Sequence, residues 1–475
     1  MNDTVDVIVI GAGTAGVPCA VQAAQDGARV LLLERSDKLG GTLEVSGADL
    51  SGAGTRRQRE HGVLHDTPQA HFEDVVRITG DTVRHDLLRQ SVDLAASTVD
   101  WLEDNGLKFT DRSPFIMMGH ETYATARTYK PLHGGASIIE VFETLVAEAV
   151  RTGRLTVRFN APATQLLVED GRVVGVEYDD DGQTRVARAS SVVLACGGYV
   201  GNHEMFRARH QRPLTSVGVP TSLGDAVTLT ESLGVRVVGD ERYLPTVGAL
   251  VGGPDTSWAR WADPRPVLNS SLRSPWEVHV TRAGRRFASE DHPSLTYRQE
   301  AVHALEDLTF FVVFDERVLR EAPPIVREWG ADGLRAAAGS HPAVFSASTL
   351  EELAERAGID PVGLSATIAE YNQAVVEGHD ARFNRRFMPV QLTEGPFYAL
   401  EIHGIALDTF AGVEVDSSLR VVSGDGAPID GVYAVGEAIG AAAMTGSVVC
   451  SGMLVTPCIS LGRELGHRLG TAVAS

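Results

Sequence analysis

Residues 5–10 (Val5-Asp6-Val7-Ile8-Val9-Ile10) form a short, largely aliphatic run that stops at Gly11. Such a run predicts a strand buried on both faces. A stretch of small residues follows, predicting a helix that ends at Asp26-Gly27, and then a second aliphatic strand over 29–33 that ends at Glu34. One β-α-β unit is therefore complete at the head of the chain. Helical spacing reappears over 84–107 and again over 137–151, where Ser137 and Glu140 are placed as a capping box. Strand-like segments come next at 156–159, 163–168, 173–178 and 192–196. The acidic turns Glu169-Asp170-Gly171 and Asp179-Asp180-Asp181-Gly182 predict hairpins between them. Near residue 240 the chain becomes richer in Pro, Trp and Arg, with helices predicted at 349–357 and 361–377. From 404 the aliphatic, glycine-rich style returns. The reading is an α/β chain in which one discontinuous domain, 1–240 with 403–475, carries an inserted α+β domain at 241–402.

Composition narrows the function classes. Hydrophobic residues make up 43% of the 475, enough for large cores. No apolar run reaches the roughly 18 residues of a membrane span, and the N-terminus shows neither a basic leader nor a cleavage site. Cytoplasmic placement and no membrane partner are expected. Cys19, Cys196, Cys450 and Cys458 are widely spaced, with no CxxC pair, so neither a metal site nor a disulfide framework is expected. A net charge of −20 without a basic stretch argues against nucleic acid.

The chemistry begins at Gly11-Ala12-Gly13-Thr14-Ala15-Gly16. In a strand–turn–helix context the first glycine permits a tight turn, the second lets backbone approach a pyrophosphate, and the third lets helix and strand pack closely. Phosphates are favoured at the helix N-terminus by free N–H groups and the helix dipole. Glu34 follows Gly16 by 18 residues, placed to accept from ribose hydroxyls. A second glycine turn, Gly40-Gly41-Thr42 with Ser46-Gly47, suits a cofactor that runs on along the protein. Two later aliphatic strands end in Gly197-Gly198 and in Gly436-Glu437. Together they favour FAD over NAD.

These stretches resemble the fumarate reductase/succinate dehydrogenase flavoprotein superfamily, in the branch that also holds 3-ketosteroid dehydrogenases. The matching segments are 5–55, 127–140, 191–202, 284–290 and 431–466, including Gly452-Met453-Leu454-Val455-Thr456-Pro457. The resemblance implies a Rossmann-type FAD-binding domain with an inserted cap/substrate domain. It implies non-covalent FAD, since no histidine sits in the glycine stretch after Thr42. Ala15, Arg35, Ala163 and Asp225 join the cofactor set, and the backbone of Gly452, Met453, Leu454 and Val455 would lie beside the flavin pyrimidine. The implied chemistry is hydride transfer between flavin N5 and a carbon next to an activated C–C bond, with a proton moved at the neighbouring carbon. The electron partner is left open.

In fumarate reductases a histidine before Pro-Thr, a histidine before a glycine pair and a late arginine grip the dicarboxylate. The matching positions here are Leu244, Asp408 and Val449, so the clamp is gone. A neutral, cyclic substrate is expected. Tyr297 is the first candidate for proton transfer and Arg298 the second. Arg273 matches an arginine of the fumarate reductase proton relay, its glutamate partner being replaced by Ser270. Gly452 would offer its N–H to a substrate carbonyl, while Val448 stands where the ketosteroid enzymes carry a tyrosine. His403 reads as a hinge or core histidine, Cys450 as a small filler, and Tyr123 and Tyr129 as either active-site or surface residues. Two rivals stay open: a di- or tricarboxylate enzyme gripping its anion with Arg273, Arg286 and Arg298, and a flavin-binding protein without turnover.

Overall fold

The structure is a computed structural model, and it describes residues 3–243, 245–251 and 255–474. Leu244 lies outside the described residues. The central sheet has six strands in the order Arg420–Val422, Pro428–Ala434, Ser191–Leu194, Val7–Ile10, Val30–Leu33 and Leu155–Arg158. All neighbours are parallel except the first pair. Val7–Ile10 and Val30–Leu33 are buried along their whole length, as an unbroken aliphatic run requires when helices cover both faces. The crossover helix Gly16–Gln25 packs against the long final helix Val455–Ala474. That packing uses a glycine stripe. A Cβ on Gly462 would come within 2.4 Å of the Ala15 carbonyl oxygen, and one on Gly466 within 2.3 Å of that of Cys19. With glycine at successive turns the two helix backbones meet directly.

A four-stranded sheet, ordered Asp3–Thr4, Gln183–Arg188, Arg172–Asp180, Ala163–Glu169, adjoins the first. Its two hairpins turn at Asp170-Gly171 and Asp181-Gly182, with φ of 50° and 78°, and 54° and 77°. Positive φ at both central residues is what a tight two-residue hairpin turn needs.

The capping box expected at Ser137 is corrected. The helix starts two residues earlier and spans Gly135–Arg151, with Gly134 before it and no side-chain cap. The Ser137 hydroxyl accepts the His133 N–H at 3.0 Å instead. The cause is packing: a Cβ at Gly135 would sit 1.8 Å from the Leu43 carbonyl oxygen, so only glycine lets this helix end reach the second glycine turn.

A second hydrophobic core lies around Thr309–Asp315 and Phe397–Ile405, antiparallel neighbours that are flanked by Val278–Val280, Val344–Ala347 and Thr246–Ala249. Helices Leu350–Ala357 and Pro361–Glu377 cover it, starting from Thr349 and Asp360 side-chain caps and ending at left-handed Gly358 and Gly378. This core also takes in Tyr199, Phe206 and Phe410 from the flanking segments.

Candidate active site

A long groove runs along the carboxyl ends of the central strands, the place where open α/β sheets receive ligands. Its walls include Gly11, Gly13, Ala15, Glu34, Arg35, Gly41, Thr42, Ser46, Ala163, Gly197, Asp225, Gly436, Glu437, Met453, Leu454 and Val455. Gly16, Gly40, Gly47, Gly198 and Gly452 do not line it, and each has a different task. A Cβ on Gly16 would fall 1.8 Å from the Gly11 carbonyl oxygen, one on Gly198 1.9 Å from Thr409 Oγ1, and one on Gly452 2.3 Å from the backbone of Leu50. On Gly40 it would meet the Ile139 side chain at 2.7 Å, whereas Gly47 has space, with Lys130 Nζ at 3.8 Å.

Gly13 differs from its neighbours in the turn. A Cβ there would find no protein atom nearer than the Gly40 carbonyl oxygen at 3.8 Å, so the missing side chain leaves room in the groove itself. Helix Gly16–Gln25 begins at Ala15 with no side-chain cap and no acidic residue in its first turn. Its end is left for an external anion. Glu34 Oε2 accepts the Ala12 N–H at 2.7 Å, while Oε1 accepts the N–H and hydroxyl of Ser36 at 2.7 and 2.8 Å. The carboxylate is thereby fixed in place at the ribose end. Beside it Arg35 pairs with Asp225 at 2.5 Å, and Arg35 Nε has no partner. These features fit a dinucleotide: room at a glycine, an uncapped helix end, and a fixed acid.

The N-terminal end of the final helix is anchored from outside. Thr456 Oγ1 accepts the Ser51 N–H at 2.8 Å, and the Tyr123 hydroxyl donates to the Ser451 carbonyl oxygen at 2.6 Å. Tyr123 and Tyr129 are both buried, not surface rings, and Tyr129 shares a hydrogen bond with Thr55 at 2.6 Å. Cys450 is buried among apolar neighbours.

At another wall of the groove stand two acids, Asp408 and Glu437. Glu437 Oε1 accepts the N–H and hydroxyl of Thr409 at 2.7 and 2.9 Å. Asp408 Oδ2 is buried without a hydrogen-bond partner. Burial pushes the Asp408 carboxyl up to about 6. Burial, then the charge of Asp408, pushes Glu437 up to about 7. Arg35, already paired, is the single cationic side chain among the described lining residues.

The residues expected to do the proton chemistry sit on the second core and do not line this groove. Arg273 forms a buried pair with Glu277, both oxygens at 2.9 Å, and donates to the Pro323 carbonyl. Ser270 instead donates to the carbonyl of His292. Arg286 is spent on Glu290 and Asp380. Tyr297 stacks on His292 with ring centres 4.0 Å apart, and its oxygen accepts the Ser289 N–H at 3.2 Å. Arg298 is buried, and both its hydrogen-bond partners, the Leu268 carbonyl and the Asn269 side chain, are neutral. Burial lowers it to about 10. His403 lies in the strand Phe397–Ile405, opposite Thr309.

The FAD binding domain family (FAD_binding_2) matches residues 6–452, nearly the whole chain. The chain belongs to this family. It binds FAD and is an FAD-dependent oxidoreductase acting on CH–CH bonds. A probable fumarate reductase from Shewanella frigidimarina is 29% identical over 452 residues, covering 92% of this chain and 70% of that protein. The 4-oxocyclohexanecarboxylate 2-dehydrogenase of Sinomonas cyclohexanicum is 26% identical, over 100% of this chain and 96% of its own. Among solved structures, the open conformation of a flavocytochrome c3 fumarate reductase superposes with a TM-score of 0.77 at 26% identity, over 100% of this chain and 79% of that one.

Several FAD-groove residues carry no signal in the sequence. Val219, Thr221 and Ser222 line the groove, as do Met444 and Cys458. They belong to no glycine motif and reach the groove only through the tertiary path of the chain. Among the described residues no helix is long and apolar enough to cross a membrane.

Proposed function

We propose that the enzyme desaturates or reduces a C–C bond next to a carbonyl in a neutral, cyclic substrate, with 241–402 acting as the cap over the FAD groove. The observation that carries this reading is the acid wall: Asp408 and Glu437 line the groove with no free cation among the described lining residues. A dianion there would face two buried carboxyls, and an uncompensated buried charge is costly. Fumarate-like acids are therefore disfavoured, and a ring ketone fits better, one like the ring named for the Sinomonas relative but without its carboxylate.

FAD, bound non-covalently, supplies hydride acceptance and donation at its ring. The chain's own residues do the rest. The entry to the final helix presents Met453, Leu454 and Val455 to the groove, where N–H groups and the helix dipole stabilise negative charge. Gly452 is placed by its contact with Leu50 and Ser51. In the cap, Arg298 is a cation whose hydrogen-bond partners are neutral, so its charge is available to polarise a carbonyl or hand over a proton. Tyr297 precedes it on the same helix, Leu295–His303. Arg273 and Arg286, each committed to a buried carboxylate, are positioning residues within the cap.

The test is anaerobic mixing of FAD-loaded enzyme with cyclohexanone-type ketones and, after reduction, with the matching enones, followed at the flavin absorbance. Bleaching by a ketone or re-oxidation by an enone is expected, with fumarate and succinate inert. Electron exchange with the dicarboxylates alone, or with none of these compounds, would overturn the proposal.

A further inference from the structure

A short segment, 119–123, touches both halves of the candidate site. On one side Glu121 pairs through its backbone with Cys450, in parallel, and the Tyr123 hydroxyl donates to the Ser451 carbonyl. Both contacts fall just ahead of Met453, Leu454 and Val455, which wall the FAD groove. On the other side the segment reaches the helix Leu295–His303, which carries Tyr297 and Arg298. One carboxylate oxygen, Glu121 Oε1, accepts the Ser294 hydroxyl at 2.6 Å and the Thr296 N–H at 3.1 Å. Ser294 Oγ in turn accepts the Tyr297 N–H at 3.2 Å. A second tie starts at Gly119, whose carbonyl accepts from Asn269 Nδ2 at 3.2 Å. Asn269 Oδ1 then accepts from Arg298 Nη2 at 3.1 Å.

The direction of these bonds decides what Glu121 does. The first N–H groups of a helix have no partner within it, and the side chains that take them fix its start. Ser294 does this for Tyr297 from the adjoining turn, which orders the helix only relative to itself. Glu121 does it for Thr296 from 175 residues away in the chain, which orders the helix relative to the segment bearing the acid. An ionised carboxylate only accepts, so it suits the two donors that face it, and such charge-assisted bonds are the stronger kind. Burial raises the Glu121 carboxyl, but the hydrogen bonds from Ser294, Thr296 and Leu295 together outweigh burial and hold it below its ordinary 4.5. We infer that Glu121 is a positioning residue for the reaction: it ties the start of Leu295–His303 to the backbone beside the final helix, and so sets where Tyr297 and Arg298 stand relative to the FAD groove. This rests on the reading of those two residues as the proton-transfer candidates, through which Glu121 acts. Displacing a reacting group by about 1 Å can cost on the order of 100-fold in rate.

The experiment uses the FAD-loaded full chain, unaltered and as Glu121→Ala and Glu121→Gln. Deuterium uptake by backbone amides is read by mass spectrometry, and anaerobic bleaching by cyclohexanone gives a limiting rate and a half-saturating concentration. In Glu121→Ala, uptake over residues 294–298 should be roughly 10-fold faster, with the opening strand Val7–Ile10 unchanged. The limiting rate should fall by roughly 10- to 100-fold, with half-saturation and the flavin spectrum little altered. Glu121→Gln keeps an acceptor oxygen and should restore most of the protection and most of the rate. A limiting rate untouched by Glu121→Ala would overturn the inference, and so would unchanged uptake at the helix start or a loss that Glu121→Gln shares in full. If Glu121→Ala does not fold, Ser294→Ala, which removes the shorter bond, is read in the same way, with Ser294→Thr as the rescue. Lost and rescued protection in an enzyme that no ketone or enone oxidises or reduces would keep the tie and overturn the reaction assignment; bleaching at full rate in every variant would do the reverse.

Discussion

The hydroxyl of Tyr123 donates to the carbonyl oxygen of Ser451 at 2.6 Å, joining the loop before Arg127 to the residue just ahead of Gly452. Both residues are buried. Tyr123→Phe leaves that carbonyl unsatisfied and should cost about 1–2 kcal/mol of stability. Because the bond holds the entry to the final helix, FAD affinity should fall several-fold as well. Thermal melts of apo and loaded protein and an FAD titration check this; unchanged affinity would show that the bond serves folding alone.

Gly13 and Gly16 should fail in different ways. Gly13→Val projects into open groove, so the apo protein should melt within a few degrees of the parent yet lose FAD affinity by roughly 100-fold or more. Gly16→Val drives a methyl-bearing carbon into the Gly11 carbonyl and should prevent folding. Absorbance of the purified variants, read beside their circular dichroism, separates the two outcomes.

The acid wall sets a pH dependence of definite sign. In the folded apo protein Asp408 titrates near 6 and Glu437 near 7, above their ordinary values of 3.8 and 4.5. Folding therefore binds protons, and this part of the stability falls as pH rises from about 4 to about 7. Asp408→Asn should stabilise the apo protein at pH 8 by on the order of 2 kcal/mol and should have little effect near pH 4. Glu277 acts oppositely: burial is the largest single influence on it, but the Arg273 charge, the His279 contacts and a backbone hydrogen bond together outweigh burial and hold it at about 2, so its contribution is lost as pH falls below about 4.5. Urea unfolding at several pH values measures both slopes.

The two cap arginines should separate by readout. Arg273→Met leaves Glu277 buried and uncompensated and should cost about 3–5 kcal/mol, lowering expression before any kinetic effect is seen. Arg298→Lys keeps a charge on neutral partners, whereas Arg298→Ala removes it. For Arg298→Ala turnover should fall by roughly 100-fold or more, with the flavin spectrum and FAD affinity intact. An unchanged turnover number would remove Arg298 from the chemistry.

The parts of the fold legible in the sequence were those set by local rules. The opening β-α-β unit, the two Asp-Gly hairpins and the helices beginning at Thr349-Leu350 and Asp360-Pro361 all follow from periodicity, caps and turn residues. The strands Thr309–Asp315, buried throughout, and Phe397–Ile405, buried except at Glu401 and His403, left no such reading, since their burial comes from partners distant in sequence. Ser137 misled for a similar reason. Its capping pattern is good, but the approach of Gly135 to Leu43 decides where the helix starts. In the site, glycines were legible because backbone proximity forbids side chains. The isolation of Asp408 Oδ2 was not, because it depends on what fails to approach it in space.

The glycine stripe on the final helix has a consequence for the order of assembly. Met453, Leu454 and Val455 wall the groove at the head of a helix that Gly462 and Gly466 bring against the first one. A chain can build its opening strand and turn early, yet it should not retain flavin until this distant helix has swung back across that beginning. Colour is thus a report that the two segments have met, and fragments cut ahead of Cys450 should stay colourless and open to proteases.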